Sequence, residues 1–478
     1  MTENITTTKP THAIVIGGSM AGLLTARVLS DHFDHVTIIE RDQLPQSANF
    51  RGGVPQARHL HTLLVKGQRI MEEMFPGFNE AMLDEGAVPM TWGKDTHFVS
   101  TGGYTKHFES DIKSNSFARA SLEWLVRRRV NTISTIEFLP ETRVERLLTN
   151  EDRSVVTGIA TLSRADKSTR DLYADLVVDA SGRSSKAPEW LTEIGYSAPK
   201  ETVINARAGY ATRWYERPAN APFKGTTYVV QPRAPIGLYR GGGLMEVEDN
   251  RWVVTLIGSN ADYPSTDDDA FLEFAASLAT PNIYKWIKDA KPVSPIYGYR
   301  RLENRMRHYE KLTRRHENFI VTGDAACALN PVYGQGMTTS ALEAVELGRL
   351  IASRDVRNLK GFAAQFQKAL YKLTQGPWLM ATSEDMRYPD VEGAKPDFAS
   401  RMIHKYFDLV ALAMPYDGVI GRRFVEAMHL LKPPTSLLAP GIALRVFRHA
   451  FLPHRQAATN EIRATMEVSA VGRLHEKG

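Results

Sequence analysis

The apolar positions change period twice between residues 13 and 40. Residues 13–16 form a short continuous apolar run with β-branched members, broken by Gly17 and Gly18. Ala21, Leu24 and Val28 then recur at helical spacing through 20–30, and 36–40 is a second β-branched run. Strand, glycine turn, helix and strand predict a βαβ opening with a parallel pair. Further on, 155–162, 171–173 and 176–179 read as strands joined by polar turns, and an antiparallel set is expected around 226–230, 237–247 and 251–258. Asp249-Asn250 suits a hairpin turn there. Trp252, Val254 and Leu256 share one face, the pattern of a half-buried sheet. Thr266 is placed to cap a helix with Asp267, Asp268 and Asp269 in its first turn, running to about Leu278. A strand at 319–322 leads through Gly323-Asp324 to a long helix from about Met337 to Ser353, with Ala341, Val345 and Gly348 inward. The remainder reads as helical, with breaks at Pro377, Pro389, Pro415, Pro433-Pro434, Pro440 and Pro453.

At 478 residues the chain suggests two or three domains, with an apolar share of 43% that is ordinary for a globular protein. Cys327 is the single cysteine, which excludes an intrachain disulfide and a Cys-based metal site and favours the cytoplasm. The first apolar run is too short for a secretory leader, and no stretch approaches the roughly 18 apolar residues of a membrane span. The net charge of +5 equals the surplus after residue 400, where eleven Lys/Arg face six Asp/Glu. Those charges are dispersed among apolar residues, which suits a solvated face rather than nucleic-acid binding or stable membrane insertion.

Chemistry enters first at Ile16-Gly17-Gly18-Ser19-Met20-Ala21-Gly22, between strand and helix. Gly17 permits the tight turn, Gly22 lets helix and strand approach, and the helix start offers free N–H groups to a pyrophosphate. Ser19 stands where a dinucleotide fingerprint has its middle glycine, and Gly18 supplies backbone freedom beside it. Glu40 lies 23 positions after Gly17, where an acid would hold ribose hydroxyls, with Arg41 next to it. By itself this fingerprint serves FAD or NAD equally.

A second stretch, Gly323-Asp324-Ala325-Ala326-Cys327-Ala328-Leu329-Asn330-Pro331-Val332-Tyr333-Gly334-Gln335-Gly336-Met337, decides between them. It resembles the second flavin motif of the FAD-dependent aromatic hydroxylase and epoxidase superfamily, G-D-A-A-H-x-x-x-P-x-x-G-Q-G. Eight positions match, and Cys327 replaces the histidine. The resemblance implies that Asp324 takes flavin ribityl hydroxyls. It also implies that Pro331 and the loop Gly334, Gln335, Gly336 approach the isoalloxazine, and that the helix near Met337 points its positive end at flavin N1 and O2. Arg119, in Phe117-Ala-Arg119-Ala-Ser-Leu122, is similar to the arginine of the family's Arg-x-x-Leu helix start, a flavin-nucleotide contact. In 176–185, Gly182 and Ser185 match the family's intermediate motif, and Ser181 occupies its aspartate position. The segment 51–61, with Arg58, is similar to one in the epoxidase branch, which includes enzymes acting on polyene precursors of polyethers, and is expected to pass the flavin ring. Its His59 and His61 are expected to be packed residues rather than metal ligands, so no metal is expected.

The resemblance implies an α/β fold: a Rossmann-like FAD-binding domain of the glutathione-reductase-like, aromatic-hydroxylase type, with an inserted antiparallel-sheet substrate domain and C-terminal helices. The expected boundaries are 1–85, 115–195 and 300–375 for the FAD-binding domain, 86–114 and 196–299 for the substrate domain, and 376–478 for the helical region. Trp214, Tyr228 and Tyr239 are either pocket walls or plain core. The basic helices expected at 419–428 and 442–451 are a substrate lid, a membrane-surface element or, preferred, packing on the FAD domain. The implied activity is that of an FAD-dependent monooxygenase. The resemblance implies that NAD(P)H would reduce the FAD, O2 would add at flavin C4a, and one oxygen atom would pass to an electron-rich carbon of a small organic substrate, expected to be a secondary metabolite. Hydroxylation and epoxidation both remain open, as do NADH and NADPH, monomer and homodimer. The alternatives are a flavin reductase or dehydrogenase, a halogenase, whose Trp-x-Trp-x-Ile-Pro motif is absent, and an NAD-binding or catalytically silent regulatory protein, which would purify without yellow colour.

Overall fold

The computed structural model describes residues 9–221 and 225–450. A five-stranded parallel sheet runs in the order Phe319–Val321, Leu176–Asp179, His12–Ile16, His35–Ile39, Ile136–Leu139. Its strands are short, nearly continuous apolar runs, as a sheet buried on both faces requires. The helices Met20–Leu29, Arg119–Asn131, Gly336–Ile351 and Phe362–Asp385 share its core. The close approach that Gly22 and Gly17 make possible seats the first helix: a Cβ on Gly22 would lie 1.7 Å from the Gly17 carbonyl oxygen.

The second sheet has seven strands in the order Tyr297–Tyr299, Gly209–Glu216, Arg251–Gly258, Arg240–Val247, Thr227–Val230, Thr96–Ser100, Gly103–Tyr104. It departs from a purely antiparallel order at one pairing: Thr96–Ser100 runs parallel to Thr227–Val230. Asp249 and Asn250 turn the hairpin with φ of 61° and 53°, the left-handed pair of a type I′ turn. The sheet is covered on both faces, not one. Trp252, Val254, Leu256 and Tyr228 pack against the helices Asp268–Ala276 and Asn282–Ile287. On the opposite face Trp214, Met245, Val247 and Val253 pack against Phe50, Leu60 and Ala118.

Three local expectations are corrected. The helix cap is Asp267, whose carboxylate accepts from the Ala270 N–H, rather than Thr266, and the helix ends at Ala276. Val345 is 42% exposed, so the inner face of Gly336–Ile351 runs through Ala341, Ala344, Leu347 and Ile351. Pro377 sits inside the 24-residue helix Phe362–Asp385 and does not end it. Burial of Phe366, Leu370, Thr374 and Ala381 on either side outweighs a proline cost of about 3 kcal/mol.

The C-terminal helices Phe398–Ala413, Gly418–Met428 and Pro440–Ala450 form their own small core around Val410, Met414, Ile420 and Val446. They dock mainly on 96–112 rather than on the FAD-binding segments. The Ser100 hydroxyl donates to the Ala411 carbonyl at 3.2 Å, and the Lys106 N–H to the Met414 carbonyl at 3.1 Å. Arg422 pairs with Asp111 at 2.6 Å. They also reach the N-terminal segment: the Val65 N–H donates to His429 Nδ1 at 3.1 Å, the Lys66 N–H donates to the His429 carbonyl at 3.4 Å, and Val65 packs with Val425. Arg423 pairs with Glu426 and Arg445 with Asp417, so these cations are neutralised within the fold. The expected break at Pro453 and the basic residues beyond Ala450 lie outside the described residues.

Candidate flavin and substrate site

One cavity of about 870 Å³ is lined by three sets of residues. The first comes from the βαβ opening: Gly17, Ser19, Ala21, Glu40 and Arg41. The second is Asp324 with the loop Pro331, Gly334, Gln335, Gly336, Met337. The third belongs to the second sheet and the C-terminal helices, and is largely apolar.

At the first set, Ser19 precedes the helix with φ −99° and ψ −169°, extended backbone that needs no glycine. Its hydroxyl donates to Glu123 at 2.7 Å and accepts from Arg119 Nη2 at 3.0 Å. Glu123 also pairs with Arg51 at 2.9 Å, and Arg51 with Glu40 at 3.0 Å and Asp42 at 2.8 Å. Glu40 in turn accepts from the Gly18 N–H at 2.9 Å. Burial alone would raise the Glu123 carboxyl, but Arg119 and Arg51 beside it bring it down to about 2, so it is ionised. Arg51 opens the segment 51–61 singled out from the sequence, whereas its partners Asp42 and Glu123 are residues that the sequence motifs do not mark. The available signal was Glu123 one helical turn after Arg119.

At the second set, Gly323 takes φ +62°, and a Cβ there would meet Ala21 at 2.7 Å, so the two nucleotide motifs touch. Glu343, inside the helix, accepts from the Thr322 hydroxyl at 2.7 Å and the Gly323 N–H at 2.6 Å and so fixes the motif's entry. Its burial pushes the carboxyl up to about 7. Asp324 faces the cavity. Burial raises its carboxyl, while Arg183 at 3.6 Å and Arg119 oppose the rise. Asp385 holds the loop from the other side, accepting from Tyr333 at 2.7 Å, Asn304 at 2.6 Å and Asn330 at 3.0 Å. The helix Gly336–Ile351 begins directly after this loop, so Gly336 and Met337 present its electropositive end to the cavity.

Not every residue singled out from the sequence reaches the cavity. Gly18 and Gly22 serve the turn and the packing beneath it. Arg58 lies over the rings of Phe50 and Tyr297, 5.6 and 5.1 Å from their centroids. Trp214 donates its indole N–H to the Arg58 carbonyl, Tyr228 is in the core under the helices, and Tyr239 meets Tyr388 edge-on; none of the three lines the cavity. The aromatic wall is instead Trp92, Phe98, Tyr210, Tyr299, Phe407 and Phe424. His59 is hydrogen-bonded to Thr212 at 2.7 Å and held near a pKa of 3 by burial; His61 lines the cavity, held near 4 for the same reason. Among the described residues no group of three or more His, Cys, Asp or Glu could hold a metal.

The cavity suits a large polar cofactor. Arg51 Nη2, Arg119 Nη1, Ser181 Oγ and Gln335 Oε1 are buried without a hydrogen-bond partner, and all four residues line it. Orphaned buried donors and acceptors of this kind call for a ligand. FAD, with a pyrophosphate, hydroxyls and a ring imide, supplies the complementary groups.

The comparisons with known proteins agree. The family described as "FAD binding domain" matches residues 10–363. Protein Rv3254 of Mycobacterium tuberculosis is 32% identical over 468 residues, covering 94% of this chain and 97% of that protein. Among solved structures, the flavin-dependent brominase Bmp2 superposes with a TM-score of 0.60 at 14% identity, covering 98% of this chain and 100% of that one. PqsL of Pseudomonas aeruginosa, described as a probable FAD-dependent monooxygenase, gives 0.60 at 16% identity over 83% of this chain and 100% of that one. The flavin-dependent halogenase CmlS gives 0.61 at 16% over 85% and 72%. At such identities the structural likeness carries the fold. With the family match spanning both nucleotide motifs and the strands that hold them, the chain belongs to the FAD-binding-domain family of flavin-dependent oxidoreductases.

Proposed function

We propose that the protein is an FAD-dependent monooxygenase that uses NAD(P)H and O2 to hydroxylate or epoxidise a lipophilic organic molecule, of the kind made in secondary metabolism. The observation that carries this reading is the continuity of one cavity from the flavin loop into an apolar chamber roofed by the second sheet and the C-terminal helices. Bound FAD would supply the redox chemistry, taking reducing equivalents from the nicotinamide and using them to activate oxygen. The protein's own part is electrostatic and steric. Arg51 and Arg119 would meet the nucleotide's phosphates, and the start of Gly336–Ile351 would stabilise negative charge on the ring system. Phe98, Phe407, Val410, Met414 and Phe424 keep water from the reacting centre and orient an apolar substrate. In this reading the enzyme acts in the cytoplasm, as a monomer or homodimer, with the substrate and O2 as its partners; among the described residues no helix is long and apolar enough to cross a membrane.

The test is turnover under ¹⁸O2 with NADH or NADPH, across lipophilic alkenes and phenols, with hydrogen peroxide release recorded. The expected result is that one class accelerates NAD(P)H oxidation, suppresses peroxide release and yields product heavier by one ¹⁸O. Product without the label would point to a dehydrogenase, and product formed only with added halide to a halogenase; either result contradicts the proposal.

A further inference from the structure

Arg233 is 3% exposed, yet its Nε and Nη2 have no hydrogen-bond partner. It lines the cavity. Burial alone moves its guanidinium, down to about 10; no carboxylate contributes. The group therefore stays charged at neutral pH. This sets it apart from Arg51, which meets three carboxylates within 3.0 Å, and from Arg240, which pairs with Asp262 at 2.7 Å. A buried charge without a counterion is among the costliest features a fold can carry, and it is retained where something else supplies the opposite charge.

Its position indicates which ligand could do so. Arg233 follows the strand Thr227–Val230, beyond the point where the Gln231 N–H donates to the Val99 carbonyl. The neighbouring strand leads into Thr101 and Gly102, and a Cβ on Gly102 would meet the Ala411 carbonyl at 2.5 Å. Arg233 thus belongs to the substrate sheet, beside the C-terminal helices, while the nucleotide motifs lie on the other sheet. Much of the surrounding wall is apolar, formed by Phe98, Phe407, Val410, Met414, Phe424 and Leu437; its polar members include Thr101, Gln231 and Asp408, and Asp408 is already paired with Arg387.

We infer that Arg233 is a substrate-anchoring residue that binds the carboxylate of a lipophilic acid, whose apolar body fills the chamber under the C-terminal helices. The inference rests on the monooxygenase reading for the identity of the chamber, but its test reads binding, not turnover. A guanidinium meets a carboxylate through paired N–H donors, a geometry that an alcohol or ester cannot match.

The experiment compares dodecanoate with dodecan-1-ol, titrated calorimetrically into the FAD-loaded protein at pH 7.5. The expected result is about tenfold or greater preference for the acid, the scale of a charged hydrogen bond. The preference should vanish in Arg233→Met, survive in part in Arg233→Lys, and leave flavin content and the flavin spectrum unchanged in both. Ligand-free Arg233→Met should melt no lower than the wild type, because it removes an unpaired buried charge, and only the wild type should gain thermal stability from dodecanoate. Equal affinity for acid and alcohol, no binding of dodecanoate at millimolar concentration, or an acid preference that persists in Arg233→Met overturns the inference. So does a tenfold loss in NADPH or chloride affinity in Arg233→Met with dodecanoate binding intact, which would assign the guanidinium to a phosphate or a halide. If the acid preference depends on Arg233 while no substrate gains ¹⁸O, the anchor stands and the monooxygenase reading fails.

Discussion

The two glycines of the first turn divide their work, and the division sets what a methyl group costs at each. Gly17 has φ +107° and faces the Ala180 carbonyl, while Gly22 admits no side chain at all against the Gly17 carbonyl oxygen. Gly18 meets the Glu40 side chain, its Cβ and Oε2 both at 3.2 Å, a tight contact that a shift of a few tenths of an ångström relieves. Gly22→Ala is therefore expected to cost about 3 kcal/mol or more and to strip FAD from the purified protein, with Gly18→Ala much milder. Melting temperature and flavin-to-protein ratio check both; equal effects would refute the packing argument. The same turn shows why Ser19 is tolerated: the backbone there is extended, and the hydroxyl joins the Glu123 and Arg119 network rather than crowding a phosphate.

The docking of the C-terminal helices includes one contact that requires a neutral imidazole. His429 is fully buried beside Trp92, their ring centroids 4.1 Å apart, and accepts the Val65 N–H at Nδ1, so protonation would place a charge where only an acceptor fits. Burial holds its pKa near 3, against 6.5 for the free group. The sign follows: between these values the unfolded chain binds the proton and the folded one does not, so stability falls as pH drops below 6.5. At pH 5 this group alone removes about 2 kcal/mol relative to pH 7.5. His429→Asn keeps an acceptor and does not titrate, so chemical denaturation at the two pH values should show a loss smaller by about that amount. An identical pH dependence in both proteins would show that His429 is not buried as described. Proline spacing could not foresee this arrangement, because Pro377 stays inside a helix held by its buried face and Pro440 begins one rather than ending one.

Across the whole molecule, the parts legible in the sequence are those written contiguously. The βαβ opening and the Gly323–Met337 stretch each carry backbone requirements within a few residues, and such requirements survive without knowledge of tertiary contacts. The chamber is written in pieces: Phe98 from one strand, Val230 from another with Arg233 just beyond its end, Phe407 and Phe424 from two helices. Alternation along a strand names two faces without saying which becomes a cavity, and here both faces of the second sheet are buried. That is why Trp214, Tyr228 and Tyr239 read as wall candidates while Tyr210 and Tyr299 take the places. Glu123, one turn after Arg119, and Glu343 read as ordinary helix carboxylates until the fold brings Arg51 and Gly323 to them.

The central claim is that the orphaned polar atoms along the cavity, with the electropositive start of Gly336–Ile351, form a seat for FAD. Its most direct test is reconstitution of flavin-free protein with FAD, followed by absorbance near 450 nm (about where oxidised flavins absorb) and by calorimetry. The account predicts one FAD per chain, displaced by neither NAD nor NADP. A protein that takes up no flavin, or that binds NAD in its place, would contradict it.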